Sequence, residues 1–290
     1  MDYSEINRLR NKVVTSIMMT VLTAMFVPLL GVFFGGVYAV IAIMLVVIVG
    51  AIFINQELKS YKSVYKELIS TLVLKELFEV EEYNPNSGFS KEQVKATYFI
   101  PHGNTYSSDD YVRGYYQGCK FERSDVCMQD VTTDSEGNTT TTTLFMGSWT
   151  IVEFPKNISH YMLIRERKLF RGGKPGGFWS SAPQTKLVKF EDINFNNRFE
   201  VYAQDEQEAF YIINPIFMEA ITKLLTQSKG RLLVGFIDKQ IHVLFDTRKN
   251  AMEPPIFREV NDEDIGMIKE EMAIVGRLIE VLRLQKDSEV

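Results

Sequence analysis

The chain has 290 residues, with 32 Lys and Arg against 37 Asp and Glu, a net charge of −5 at neutral pH, and two cysteines. An acidic chain does not attract a phosphate backbone, so nucleic acid is not an expected partner. Cys119 and Cys127 lack CxxC spacing and are too few for a disulfide framework, which fits a reducing compartment.

From Val13 to Gln56 there is no charged residue, and most positions are Val, Ile, Leu, Met, Phe, Ala or Gly. One crossing of a hydrocarbon core about 30 Å thick takes roughly 20 apolar residues, so this run is long enough for two. Pro28, Gly31, Gly35 and Gly36 mark its middle. The expected spans are therefore residues 13–30 and 37–54, joined by a tight reversal, in a hairpin covering residues 1–56. Arg8, Arg10 and Lys12 precede the first span, and Lys59, Lys62 and Lys66 follow the second. Cations stay on the cytoplasmic side, which predicts a multi-pass protein of the plasma membrane with both termini in the cytoplasm. No Asp, Glu, Lys, Arg or His lies within the spans, so the hairpin reads as an anchor rather than an ion path.

Glu57 to Val80 carries Leu58, Tyr61, Tyr65, Leu68 and Leu72 at three-four spacing, the pattern of a helix leaving the membrane. Asn84, Pro85, Asn86, Ser87 and Gly88 then mark a loop, so residues 57–90 form a neck and linker. Residues 91–290 are expected to fold as one cytoplasmic α+β domain. Its β-branched and aromatic runs predict strands at 113–123, 126–132, 140–154, 161–167, 185–190, 199–203, 232–237 and 240–245. Asp134 to Asn138 reads as a hairpin tip, and Asp238 with Lys239 as a second. Pro215 to Gln227 and a terminal stretch over about 263–285 read as helices. In the latter, Ile265, Ile268, Met272, Val275, Ile279 and Leu282 make a heptad seam that packs on the sheet or pairs between subunits. A mostly antiparallel sheet with flanking helices is the expected architecture, and the order of elements also fits a partly open barrel of the pleckstrin-homology type.

The chemistry is sparse. His102, His160 and His242 have no partner at metal-ligand spacing, so no metal site is expected. The glycine-rich stretch Phe170 to Phe178 lacks the Walker and GxGxxG patterns, so no cofactor is expected. Its cations Arg171 and Lys174, with Arg165, Arg167 and Lys168 before them, are placed to rest on lipid headgroups. The only acid–base grouping is His102 with Asp109 or Asp110, where a fold could set an imidazole beside a carboxylate.

Three segments resemble a known family: Ser108 to Asp125, Leu144 to Ile158 and Phe199 to Met218. They are similar to the bacterial domain-of-unknown-function family 3137, whose members share the layout of a double span, a helical neck and a mixed domain. The resemblance marks Asp110, Gly114, Phe121, Gly147, Phe154, Lys156, Phe199, Asp205, Ala209 and Pro215 as motif positions. Family members commonly carry an Arg after the alanine, where this chain has Phe210. The resemblance implies a bacterial plasma membrane and supplies no reaction. The expected role is a non-enzymatic binding or scaffold module, whose partners are the bilayer and either a second copy or another subunit of a membrane complex. The competing readings are a membrane-bound hydrolase or transferase using His102 with Asp109 or Asp110, and an accessory subunit.

Overall fold

The computed structural model describes residues 3–34, 36–153, 158–167, 183–227, 230–250 and 252–287. The chain divides into two compact units, Met1–Val73 with Met252–Ile268, and Leu74–Ala251 with Lys269–Val290.

In the first unit, helices α1 (Ser4–Phe34) and α2 (Gly36–Ile69) pack on one another. α1 runs through Pro28 and Gly31, past the predicted end of the first span, because a proline costs one helical bond without obliging the chain to stop. Gly50 lets the helices approach closely: a Cβ there would stand 2.3 Å from the side chain of Thr20. Thr20 and Thr23 satisfy their hydroxyls on the carbonyls of Ser16 and Met19. Among the described residues one helix, Gly36–Leu77, is long and apolar enough to cross a bilayer, and none of its apolar stretch is buried.

A segment from far along the chain ties the other ends of these helices together. Near the start of α1, Tyr3 donates to Asp262 at 2.7 Å, and Asn7 exchanges bonds of 3.1 and 2.9 Å with the backbone of Val260. Near the end of α2, Tyr61 donates to the carbonyl of Pro255 at 2.6 Å, while Lys62 and Lys66 reach Glu253 at 2.5 and 3.7 Å. Arg258 holds Asp264, which also accepts from the Asn261 amide.

The second unit is built on a nine-stranded antiparallel sheet. A π-helical turn (Ser70–Leu74) and the short α3 (Lys75–Leu77) lead into β1 (Glu79–Asn84), and α4 (Lys91–Ala96) follows. The remaining strands are β2 (Thr105–Tyr116), β3 (Cys119–Thr133), β4 (Thr139–Glu153), β5 (Met162–Glu166), β6 (Lys186–Val188), β7 (Phe199–Ala203), β8 (Arg231–Ile237) and β9 (Gln240–Asp246). Their spatial order is β1-β2-β3-β4-β9-β8-β5-β7-β6. The sheet is open, with β1 and β6 as its edges, which replaces the barrel analogy.

Both predicted hairpin tips are turns. At the first, Asp134 accepts from the amides of Glu136 and Asn138, with Gly137 at φ +87°. At the second, Asp238 and Lys239 both take positive φ, as a two-residue hairpin requires. The expected strand 113–123 is instead two strands. Gln117 and Gly118, at φ +49° and +78°, turn the chain between β2 and β3, and Gln-Gly is a weaker turn signal than Asn-Gly. The expected loop after Val80 contains β1, whose glutamates hide its strand character until it pairs with β2.

Helices lie on both faces. On one, α7 (Pro215–Gln227) sets Phe217 against Phe236 at 5.9 Å between rings. On the same face the second-unit part of α8 (Asp262–Asp287) buries Met272, Val275 and Ile279; Ile265 and Ile268, which belong to the first unit, are buried within the chain as well. The heptad seam is therefore covered within the chain at these five positions; the side chain of Leu282 lies outside the described residues. The opposite face holds a core of Val94, Phe99, Val126, Met128, Phe145, Trp149, Leu163, Leu233 and Leu244. There Trp149 donates to Nδ1 of His242 at 3.1 Å, and the ring of Phe99 lies 5.2 Å from the imidazole. Burial pushes the His242 pKa down to about 3, so it is a neutral core residue.

Two outcomes follow for chemical denaturation of the full chain in mild detergent. A Cβ at Gly147 would stand 1.9 Å from the Phe245 carbonyl oxygen, across the β4–β9 pair. Gly147→Ala must spread two central strands and should cost about 3 kcal/mol, the upper end for overpacking. The neutral state of His242 stabilises the fold fully above the unfolded value near 6.5, and this stability is lost as pH falls toward about 3. His242→Gln keeps an acceptor for Trp149 and should be less sensitive to acid than wild type across that window.

Candidate functional site

The densest polar grouping lies where β2 breaks register. Asp109 pairs with Asp125 and Val112 with Arg123, so one extra residue is inserted in β2 opposite β3. Asp110 takes φ +54°, a conformation that Asp tolerates better than most residues, and is fully buried. The preceding loop is laid on the bulge: the Tyr111 amide donates to Ser87, the Phe89 amide to Ser108 Oγ at 3.1 Å, and Tyr106 to the Phe89 carbonyl at 2.6 Å. Ser108 and Ser124 in turn donate to the carbonyls of Asp125 and Asp109.

Carboxylate oxygens of Asp109, Asp110 and Asp125 lie within 4.8 Å of one another. Tyr83, from β1, donates to Asp110 at 3.0 Å, and Asn250, after β9, donates to Asp109 at 3.1 Å. One Arg123 nitrogen, Nη2, donates to Asp125 at 2.7 Å and to Glu271 of α8 at 3.0 Å. Arg123 and Asp125 are 1% and 3% exposed, so this is an interior charge network joining β1, β2, β3 and α8. Burial, opposed by Arg123 and reinforced by Glu271, Asp110 and Asp109, pushes the Asp125 carboxyl above the usual range. Burial followed by the Asp110 charge pushes the Tyr83 phenol up. By distance alone three carboxylates could bracket a cation, but the guanidinium already supplies positive charge at that spot, so the grouping reads as structural electrostatics.

The acid–base pair expected from the sequence does not come together. Asp109 and Asp110 belong to the bulge, whereas His102 lies beside the Tyr98 ring at 5.4 Å, with burial and then Lys95 lowering its pKa. Gly103, next to His102, lies against Gln129, and four residues of β3 separate Gln129 from Asp125. At 3.3 Å per residue that is roughly 13 Å of strand.

Arg165 is one of the five cations expected to rest on lipid headgroups. Its guanidinium binds Glu200 at 2.8 Å and lies 4.9 Å from the centre of the Tyr202 ring. Arg167 donates to the Asn196 carbonyl at 2.8 Å, and Lys168, Arg171 and Lys174 lie outside the described residues. Of the family-like positions, Phe154 and Lys156 also lie outside them. Gly114 brings strands together, since a Cβ there would stand 2.4 Å from the Glu79 carbonyl. Asp205 caps α6 (Glu206–Ile212) by accepting from the Glu208 amide at 2.7 Å, and Ala209 is buried. Asp205 thus has a role that needs no arginine at Phe210, which instead meets Phe190 edge to face.

Residues 143–284 match the model of the family described as "Protein of unknown function (DUF3137)". That stretch, just under half of the chain, belongs to the DUF3137 family. The match takes in the second and third resembling segments and begins after the first, so the bulge and its aspartates lie before it. A comparison with curated proteins found no match. The solved structure of the mycobacterial trehalose monomycolate transport factor A is similar over 76% of this chain and 94% of its own, at 11% identity and a TM-score of 0.41. A likeness of that size carries neither fold nor role to this DUF3137 protein.

Sequence reading missed Arg123, Asp125, Tyr83, Asn250 and Glu271. The available signal was the alternation of Arg123 and Asp125 immediately before the apolar stretch Val126 to Met128, where charges facing a core must be paired. Replacing Arg123 with Leu removes a buried cation and leaves Asp125 and Glu271 without it, so it should cost about 3–5 kcal/mol of stability in denaturant. Arg123→Lys should recover only part of this, because one ammonium cannot reproduce the planar guanidinium.

Proposed function

We propose that this DUF3137 protein is a membrane-anchored binding or scaffold module, with α1 and α2 both crossing the bilayer and the sheet-bearing unit in the cytoplasm. The observation that carries the topology is the 252–264 segment, which bonds to Tyr3 and Asn7 before the apolar run and to Tyr61, Lys62 and Lys66 after it. Ends held by one strap lie on one side of a membrane, so the apolar run between them crosses an even number of times. Met18, Met25, Phe26, Ile41, Met44, Ile52 and Phe53 are at least half exposed, which suits lipid and not water. Arg8, Arg10, Lys12 and Lys59 beside the strap favour the cytoplasmic side.

The binding role is supported by what the polar groups do. Asp125 and Asp110 act on an internal arginine, Asp109 accepts from Asn250, Asp205 caps a helix, and His102 is far from the aspartates. The open groove of about 1380 Å³ beside α5 (Ile193–Arg198) and α7 mixes Lys189, Arg198 and Lys223 with Glu191, Asp192 and Glu219. Its Asp192 is already engaged as the α5 cap. No nucleophile, base and anion hole converge there among the described residues. Such a module works with the bilayer and a second copy or a membrane-complex subunit.

Reporter fusions test the topology. Alkaline phosphatase joined after Val290 or before Tyr3 should be inactive, green fluorescent protein at either place should fluoresce, and carbonate washing should leave the chain in the membrane. Opposite behaviour of the two ends would refute the paired crossing. A band at a discrete multiple of the chain mass in native electrophoresis should mark the assembly, whereas a monomer alone would speak against a scaffold.

A further inference from the structure

We propose that the buried carboxylates at the β2 bulge share a bound proton at neutral pH, and that releasing this proton weakens the docking of α8 on the sheet. The geometry sets up the competition. Asp125 and Glu271 both bond to Arg123, and oxygens of Asp125, Asp110 and Asp109 lie within 4.8 Å of one another. Like charges at this spacing away from water do not all ionise together, and the proton they retain belongs to the group as a whole.

The structure indicates where the proton resides. Oδ1 of Asp125 accepts from Arg123, whereas Oδ2 is buried with no hydrogen-bond partner. Ionised, that oxygen would be a bare charge in the interior; protonated, it is a neutral hydroxyl beside neighbouring carboxylates. The groups around it are Tyr83 from β1, Asp109 and Asp110 from β2, Arg123 from β3, Glu271 from α8 and the uncharged Asn250. Of these only Arg123 favours ionisation of Asp125; burial, Glu271, Asp110 and Asp109 oppose it.

Arg123 couples the site to α8. Nη2 of Arg123 serves both Asp125 and Glu271, at 2.7 and 3.0 Å. While Asp125 is neutral, the guanidinium charge is left to Glu271. Once Asp125 ionises, that charge is divided and the two carboxylates repel, so α8 loses attraction and gains repulsion at the same contact. The sign follows from the raised folded-state pKa: the folded protein holds a proton that the unfolded chain gives up in the ordinary carboxylate range. Stability from this group therefore falls as pH rises from that range to the folded value.

The test compares wild type with Asp125→Asn, full chains in mild detergent, from about pH 5 to about pH 8, the window between the ordinary carboxylate range and neutrality. Asparagine is close in shape, still accepts from Arg123 and cannot titrate. Hydrogen-exchange protection of α8 amides, corrected for the intrinsic pH dependence of exchange, should fall with rising pH in wild type and stay level in the variant. The loss should reach at most about tenfold per pH unit, the limit for one released proton. A merely structural role for Asp125 would offset the two profiles without changing their slopes, and parallel profiles would overturn the proposal. If the variant fails to fold, infrared spectra of wild type carrying carboxyl-labelled aspartate decide: a protonated carboxyl band at neutral pH that bleaches on alkalinisation supports the proposal. Absence of that band overturns it, as does a gain in stability with calcium or magnesium ions in its absence, which would mean that a cation neutralises the group.

Discussion

A sheet with helices on both faces leaves no water for a charged side chain in its middle strands, so every ionic group there must be answered by another. This constraint organises the second unit. Arg123 and Asp125 alternate with Val126 and Met128 on β3, the charged pair facing α8 and the apolar pair entering the Trp149 core. The inserted residue of β2 turns Asp110 inward, where Tyr83 bonds it. The cost of desolvating these groups is recovered only if bulge, loop 87–89, β1 and α8 assemble together. The network therefore favours one arrangement of those elements over others that would bury as much apolar surface.

Legibility in the sequence followed how local each cause was. The tip at Asp134 was readable because the residue that makes the turn also supplies the bonds that hold it. The α8 seam was readable because its period persists over five buried positions. What covers the seam was not readable, since the choice between sheet and second chain depends on residues more than a hundred positions away. β1 was misread because Glu79, Glu81 and Glu82 favour helix and solvent, and only β2 beside them makes a strand. The site was the least legible part. Asp109 and Asp110 drew notice as an acidic pair, yet the guanidinium, phenol and amide that give them meaning come from β3, β1 and the turn after β9.

In the first unit the same distinction between local and distant causes separates span from topology. Uncharged length alone marks α2 as able to cross a bilayer, whereas the proposed sidedness draws on pairs such as Asn7 with Val260 and Tyr61 with Pro255, which join residues 253 and 194 positions apart. Those bonds are made by groups whose partners the flanking cations could not reveal. Lys62 and Lys66, which the sequence offers as orienting charges, both reach Glu253. In the proposed topology the orienting charge then rests more on Arg8, Arg10, Lys12 and Lys59. A strap of this kind also means that residues 252–264 reach their full set of bonds only when the helices have met, since Asn7 lies on α1 and Tyr61, Lys62 and Lys66 on α2.

The family-like positions separate into two physical classes, and this bears on what a shared pattern can say about function. Gly114 and Gly147 are set by strand spacing, because at either one a Cβ would overlap the carbonyl of a neighbouring strand. Asp205 is set by an α6 amide and Ala209 by lack of room in the core. None of the four needs a ligand to explain it. Asp110 belongs to the other class, since burying a carboxylate at a positive φ is costly unless nearby groups use its charge. Tyr83 and Arg123 use it here. A pattern drawn from such residues identifies a scaffold and its charge network, and it is compatible with many surfaces outside that network, which is where a binding partner would be read.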